Sequence, residues 1–246
     1  MRRGLRILGT ALVVCGVCAV AWAVVVWRWQ DPFTALYTKV QQDRLSRAYN
    51  HFLAGYEPPR LRGSSLAVVR RVVAQEARRY RLATHRGEAI GRIVVPRLHL
   101  NMILVDGTDE HSLEKGPGRD LRTYMPGEGR LVYVAGHRTT FLAPFAHIER
   151  LRAGDRVFLR MPYATFVYWI TRHRIVSADD TSVLRSPDHE LLALQACHPR
   201  FFATHRYIAY AEPVRVLPRD GPAYAPLAVA SSPGREVAYV RGRRLR

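Results

Sequence analysis

Three residues of this 246-residue chain have the chemistry that acyl transfer through a thioester needs: Cys197, His137 and Arg206. A free thiol with a pKa near 8.5 is only a few per cent ionised at neutral pH, so a cationic neighbour that favours the thiolate raises its reactivity. His137 can supply that charge as imidazolium and then protonate a leaving amine. Arg206 can place fixed donors where negative charge grows on a carbonyl oxygen, and loss of one such donor costs other enzymes roughly 3 kcal/mol. The competing reading is a packing thiol among surface charges. The other two cysteines, Cys15 and Cys18, lie inside a long uncharged run, where they are small packing residues, so Cys197 is the one thiol outside it. In an exported protein an unpaired thiol points to a reactive group or an intermolecular bridge.

Strand ends are what would bring the three together. Leu131 to Ala135 is apolar at every position, the mark of a strand buried on both faces, and it runs into Gly136-His137-Arg138-Thr139-Thr140. Leu191 to Ala196 is a second such strand and delivers Cys197, with Pro199 stopping the pairing two residues later. The next apolar run starts after Arg206. From Gly91 onward the chain consists of short runs rich in Val, Ile, Leu and Tyr between Gly, Pro and Asp, an all-β pattern. It predicts strands at Arg92–Val95, Met102–Val105, Leu131–Ala135, Arg156–Met161, Thr165–Ile175, Leu191–Ala196 and Tyr207–Val216. One short helix is expected over Thr108–Lys115, capped by Thr108 or Asp109.

Ile7 to Trp27 carries no charge over 21 residues, and as a helix at about 1.5 Å per residue it spans roughly 30 Å, one bilayer crossing. Arg2, Arg3 and Arg6 precede it, which places the N-terminus in the cytoplasm and the rest of the chain outside. The alternative is a signal peptide cleaved near Ala21-Trp22-Ala23; either way the domain is exported. The chain is thus divided into a cytoplasmic tip and anchor at 1–29, a basic helical linker at 30–87, a catalytic domain at 88–217 and a basic flexible tail at 218–246. In the linker, helices are expected over 33–55 and over Leu66–Leu82, the second capped by Ser64 or Ser65. Net charge is +18, and Lys39 and Lys115 are the only lysines among 38 basic residues. That balance suits anionic partners, but export makes nucleic acid an improper one, leaving the membrane and phosphate-rich wall polymers.

The segments GPGR at 116–119, MPGEGRLVYVAGHRTTFLAPFAHIERLRAGD at 125–155 and ACHPRFFATHR at 196–206 resemble the histidine and cysteine regions of sortases. The likeness covers about residues 88–216, and AGHRTT with Cys-His-Pro is most similar to class E, the housekeeping type of high-GC Gram-positive bacteria. It implies an eight-stranded β-barrel with short helices. It also implies a cysteine transpeptidase that cuts a C-terminal sorting motif of the Leu-Ala/Pro-x-Thr-Gly type between Thr and Gly. The partners it implies are surface proteins bearing that signal and an amine of the peptidoglycan precursor, lipid II. His137, Cys197 and Arg206 match the family's catalytic three. Thr139, Thr140 and Ala196 flank them as substrate-contact candidates, and the loop 177–188 adds Thr181, Ser182, Val183 and Leu184. The chain departs from the pattern at Gln195-Ala196, where threonine commonly precedes the cysteine, and at Phe141-Leu142, where Tyr-Gly is common; substrate preference is what those departures touch.

Other candidates read as structural. His198 adjoins Cys197, but neighbours in a strand point to opposite faces, so it is a poor base for that thiol. His147 and His205 read as surface or packing residues. Asp179, Asp180 and Asp188 read as turn formers rather than calcium ligands, and neither metal nor cofactor is expected. A hydrolytic cysteine protease and a non-catalytic wall-binding module on the same fold remain as other functions; the presence of all three reactive residues disfavours the module.

Overall fold

The computed structural model describes residues 2–28 and 32–226. Three helices come first: α1 (Arg2–Arg28), α2 (Pro32–Gly55) and α3 (Leu66–Ala83). Eight strands follow, β1 (Ala89–Val95), β2 (Leu100–Asp106), β3 (Gly118–Arg119), β4 (Leu131–Ala135), β5 (Arg156–Arg160), β6 (Ala164–Ser177), β7 (Leu191–His198) and β8 (His205–Pro218), with the short helix α4 (Glu110–Lys115) between β2 and β3. They close into a barrel in the order β1-β2-β3-β4-β7-β8-β6-β5. Seven of the eight lie where apolar runs predict them. The eighth, β3, has two residues, too short to show alternation, and is held by a buried ion pair between Arg119 and Asp106 of β2, Nη2 to Oδ1 2.6 Å.

Alternation along the strands makes two cores. Leu192, Leu194 and Ala196 of β7 point into the barrel with Val132, Val134, Ala209 and Ala211. The opposite set, Leu191 and Ala193, points outward with Leu131, Tyr133, Val176, Ile208 and Tyr210, and Val183 and Leu184 pack against that outer cluster. So β4 and β7 are buried on both faces, and the outer surface of β4-β7-β8 is covered at one end and open at the other.

The two linker helices are attached to the barrel. α3 starts at Ser65, whose side chain accepts from the Val68 amide, and it buries Val69, Val73 and Ala77, one residue per helical turn. α2 is fastened by polar groups: Thr38 Oγ1 donates to the Glu114 carbonyl at 2.7 Å, and Tyr49 Oη donates to the Arg160 carbonyl at 3.3 Å. The side-chain amide of Gln42 donates to the carbonyls of Ile103 and Lys115 and accepts from the Ile103 amide at 2.6 Å. Beyond β8, Tyr224 bridges back to Val216, and Asp220 accepts from the Leu61 amide, so residues 219–226 follow the barrel wall. The remainder of the basic tail, 227–246, and Trp29 lie outside the described residues. Along α1, Ile7, Leu8, Leu12, Val13, Val17 and Val20 are all exposed. Among the described residues no helix is long and apolar enough to cross a membrane.

Candidate active site

Strand register places Cys197 beside Arg206 and brings the end of β4, which His137 follows, alongside β7. β7 and β8 run antiparallel with Cys197 directly opposite Arg206, and cross-strand partners project from the same face of a sheet. β4 and β7 run parallel with Ala135 opposite Gln195, and the Gly136 amide continues the ladder by donating to the Gln195 carbonyl at 3.0 Å. His137 stands two residues past Ala135, beyond the end of β4, as Cys197 stands two residues past Gln195 in β7. The face is the outer one: Cys197 follows Leu191, Ala193 and Gln195, and Arg206 precedes Ile208 and Tyr210. Cys197 and His137 are half-buried at the open end of that surface.

Backbone constraints keep His137 there. Its carbonyl accepts from the Phe145 amide at 3.1 Å, which closes the loop 137–145 on itself. Gly136 is required by close packing, since a Cβ there would lie 2.8 Å from the Phe145 ring. The Phe141 ring sits 4.9 Å from the imidazole, centroid to centroid. Phe141, Leu142 and Ala143 all have positive φ, at 53°, 60° and 38°. Glycine would adopt this left-handed backbone without the Cβ penalty that Phe141, Leu142 and Ala143 bear. Burial lowers the pKa of His137 below the ordinary imidazole range, against the pull of Glu114 and Glu110 on α4. Its Nε2 is buried and has no hydrogen-bond partner among the described residues.

Arg138 ties the histidine loop to the cysteine strand. Its side chain is 6% exposed, and Nη1 donates to the Cys197 carbonyl at 3.0 Å and contacts His198 Nδ1 at 3.0 Å. Nη2 pairs with Glu149 at 2.8 Å. The backbone of the thiol is thereby held by a guanidinium that comes from the residue after the imidazole. Arg206 uses Nη1 to donate to the carbonyls of Ala203, at 2.7 Å, and His205, at 3.1 Å. That grip orients the fork while its other nitrogens make no hydrogen bond to the described residues, as a donor kept for a substrate oxygen requires.

The remaining sequence candidates separate. Thr139 and Thr140 share the histidine loop and are half-buried, Thr140 accepting from the Ala143 amide through its carbonyl. Ala196 does not reach the face of the thiol: its methyl is fully buried in the inner core, because its place in the strand alternation is opposite to that of Cys197. Val183 and Leu184 lie against the outer cluster. Thr181, Ser182 and Leu184 line a cavity of about 570 Å³ with Arg122, Asp179, Asp180 and Arg185, which includes none of the three reactive residues. His198 is directed at Arg138 and the Tyr207 ring, away from the thiol face. Asp180 caps the short turn at 181–184, and Asp188 pairs with Arg130. Among the described residues no three His, Cys, Asp or Glu side chains are grouped to hold a metal ion.

Arg138 and Phe141 were not singled out by residue type as parts of the site's framework. Side-chain hydrogen bonds reveal the first and ring contacts the second, although the Arg immediately after the histidine was available as a signal.

Known proteins bear on the same segment. Residues 93–214 match the sortase domain. Sortase D of Bacillus subtilis (strain 168) is 35% identical over 132 residues, which cover 52% of this chain and 65% of that protein. The chain thus spans just under two thirds of that relative's length. The Sortase D5 transpeptidase of Clostridium perfringens superposes with a TM-score of 0.58 at 21% identity, covering 71% of this chain and 99% of the other. Sortase E1 of Streptomyces coelicolor gives 0.51 at 24% identity, covering 54% and 92%. At those identities the superpositions speak to fold alone, and relatives named for class D stand beside those named for class E, so the class E resemblance resolves no further than the family. Residues 93–214, most of the barrel, thus carry the sequence match to the sortase domain, and the closed eight-stranded barrel is the fold of the structures on which it superposes.

Proposed function

We propose that the protein is a membrane-anchored cysteine transpeptidase acting outside the cell on surface proteins that end in a sorting signal. One observation carries the reading: Cys197 of β7 lies opposite Arg206 of β8, and His137 follows the end of β4, the strand that pairs with β7 on its other side. The thiol proton passes to the neutral imidazole of His137, and the thiolate attacks the threonine carbonyl of a Leu-Ala/Pro-x-Thr-Gly motif. Arg206 addresses the oxygen as it gains charge. Collapse of the tetrahedral species breaks the Thr–Gly bond, the imidazolium gives its proton to the departing glycine amine, and an acyl thioester remains on Cys197. An amine of the lipid-linked wall precursor then attacks the thioester, gives up a proton to His137, and releases the thiolate. The anchor is the uncharged run 7–27, with the catalytic domain extracytoplasmic; its 21 uncharged residues and the arginines that precede it support that reading.

Mass spectrometry of the full chain with a sorting peptide and a diamino acceptor tests the reaction. The expected species are an acyl adduct on Cys197 and a peptide–acceptor product, both lost in Cys197→Ala, whose melting temperature stays near that of the parent. Hydrolysed peptide with no acceptor product would make the enzyme a protease instead. Cleavage retained in Cys197→Ala would remove the nucleophile assignment.

A further inference from the structure

α2 touches the surroundings of His137 from two directions. At its start, the Thr34 hydroxyl accepts from the Phe141 amide at 3.1 Å, and the Tyr37 ring meets the Phe141 ring edge-on, 6.4 Å between centroids at 72°. Phe141 in turn lies 4.9 Å from the imidazole. One turn further on, Thr38 and Gln42 donate to the carbonyls of Glu114 and Lys115, the last residues of α4. α4 carries Glu110 and Glu114, the two charged groups that act on His137. Thr38 is fully buried although it sits on a helix whose apolar residues Leu36 and Val40 face solvent, so this contact, not general hydrophobic packing, fixes the helix in place.

Three residues in succession, Phe141, Leu142 and Ala143, occupy left-handed backbone. Such a segment persists only where its surroundings hold it. The Thr34 hydroxyl is the partner of the first amide in that segment, and the ring of Tyr37 backs its first side chain.

We infer that the first two turns of α2 are part of the catalytic apparatus: Thr34 and Tyr37 are positioning residues that hold Phe141 over the imidazole of His137. The barrel strands bring His137 to the thiol, and α2 covers the imidazole and keeps water from it. The inference rests on His137 being the proton carrier of the proposed reaction. It extends the site into the segment that joins the barrel to the apolar run.

The test uses the full chain in detergent micelles, with fluorogenic Leu-Ala-x-Thr-Gly and Leu-Pro-x-Thr-Gly peptides and an NMR titration of the His137 ring. Tyr37 is 42% exposed, so its truncation opens no core. In Tyr37→Ala and Thr34→Val the imidazole becomes hydrated and its pKa rises toward the ordinary value. Activity needs the neutral ring, so the acid limb of kcat/KM moves to higher pH. kcat is expected to fall about tenfold with little change in KM, part of the roughly 10²–10⁴ that positioned proton transfer supplies. Tyr37→Phe keeps the ring and retains the parent profile, which separates positioning from misfolding. An unchanged His137 titration and parent kcat in both Tyr37→Ala and Thr34→Val would overturn the inference. Activity retained in His137→Ala would instead overturn the proposed reaction, so the two failures are distinguishable.

Discussion

Arg206 faces Cys197 across the β7–β8 ladder and spends one end of its guanidinium on two loop carbonyls. A lysine there keeps the charge but cannot grip the loop and present a second donor at a fixed angle. Arg206→Lys is therefore expected to lose about a hundredfold in kcat and in kcat/KM together, close to the roughly 3 kcal/mol that one oxyanion donor supplies. A rise in KM at constant kcat would mean that the residue binds ground and transition states equally. Arg138 works through position instead. Its loss leaves the Cys197 carbonyl and Glu149 without their charged donor, a cost of about 2 kcal/mol. Arg138→Ala should lower both the melting temperature and kcat, whereas Arg206→Lys lowers kcat alone; parent stability in Arg138→Ala would remove the clamp. The sequence offered Cys197, His137 and Arg206 as candidates through residue type and the ends of apolar runs, with a packing thiol as the competing reading, and it was the resemblance of the surrounding motifs that favoured them. Arg138 and Phe141 were not legible in that way, since their roles depend on which carbonyl and which ring lie across from them. Ala196 was misplaced for a related reason: adjacency to a nucleophile along a strand puts a side chain on the other face.

Among the elements, α3 was readable and α2 only half so. The pattern Val69, Val73, Ala77 behind a serine cap states both where α3 begins and which face it buries. For α2 the apolar stripe through Leu36 and Val40 suggests the wrong side. The helix instead buries Thr38 and Tyr49 and inserts Gln42, whose side-chain amide acts as a peptide group would at the edge of β2, pairing both backbone groups of Ile103. Hydrogen-bond complementarity of that kind has no periodic signature. β3 escapes for want of length, and its buried Arg119–Asp106 pair reads in the sequence as two ordinary charges. Gln42→Leu leaves the Ile103 amide and carbonyl and the Lys115 carbonyl without this partner. The expected loss is about 2–3 kcal/mol, or roughly 4–12 °C in Tm for a domain of this size. Lys39→Ala, one turn away and exposed, should leave Tm unchanged. Equal melting temperatures for the two variants would show that α2 is not fastened through Gln42.

At the scale of the whole molecule, the docking of α2 sets how far the site stands from the apolar run that precedes it. Trp27 ends that run, and Thr34 already touches the histidine loop, so residues 28–33 are the only connection. Extended at about 3.5 Å each, they reach no more than roughly 20 Å. If 7–27 is the anchor, the site is held at the outer membrane surface, within reach of substrates that are themselves retained by lipid. Arg2, Arg3 and Arg6 on the other side of the run favour a cytoplasmic N-terminus. Intact cells expressing the full chain should therefore lose the barrel epitope to added protease while a tag ahead of Arg2 survives, and carbonate washing should leave the uncut protein in the membrane pellet. Replacing Val13 and Val17 by arginine should abolish that retention, since a charge near the centre of a span costs roughly 2.5–3.5 kcal/mol. Barrel epitope recovered in the medium with a new N-terminus near Val24 would assign the run to a cleaved leader. Epitope protected inside intact cells would reverse the topology, and the proposed sorting reaction would lose its access to the wall.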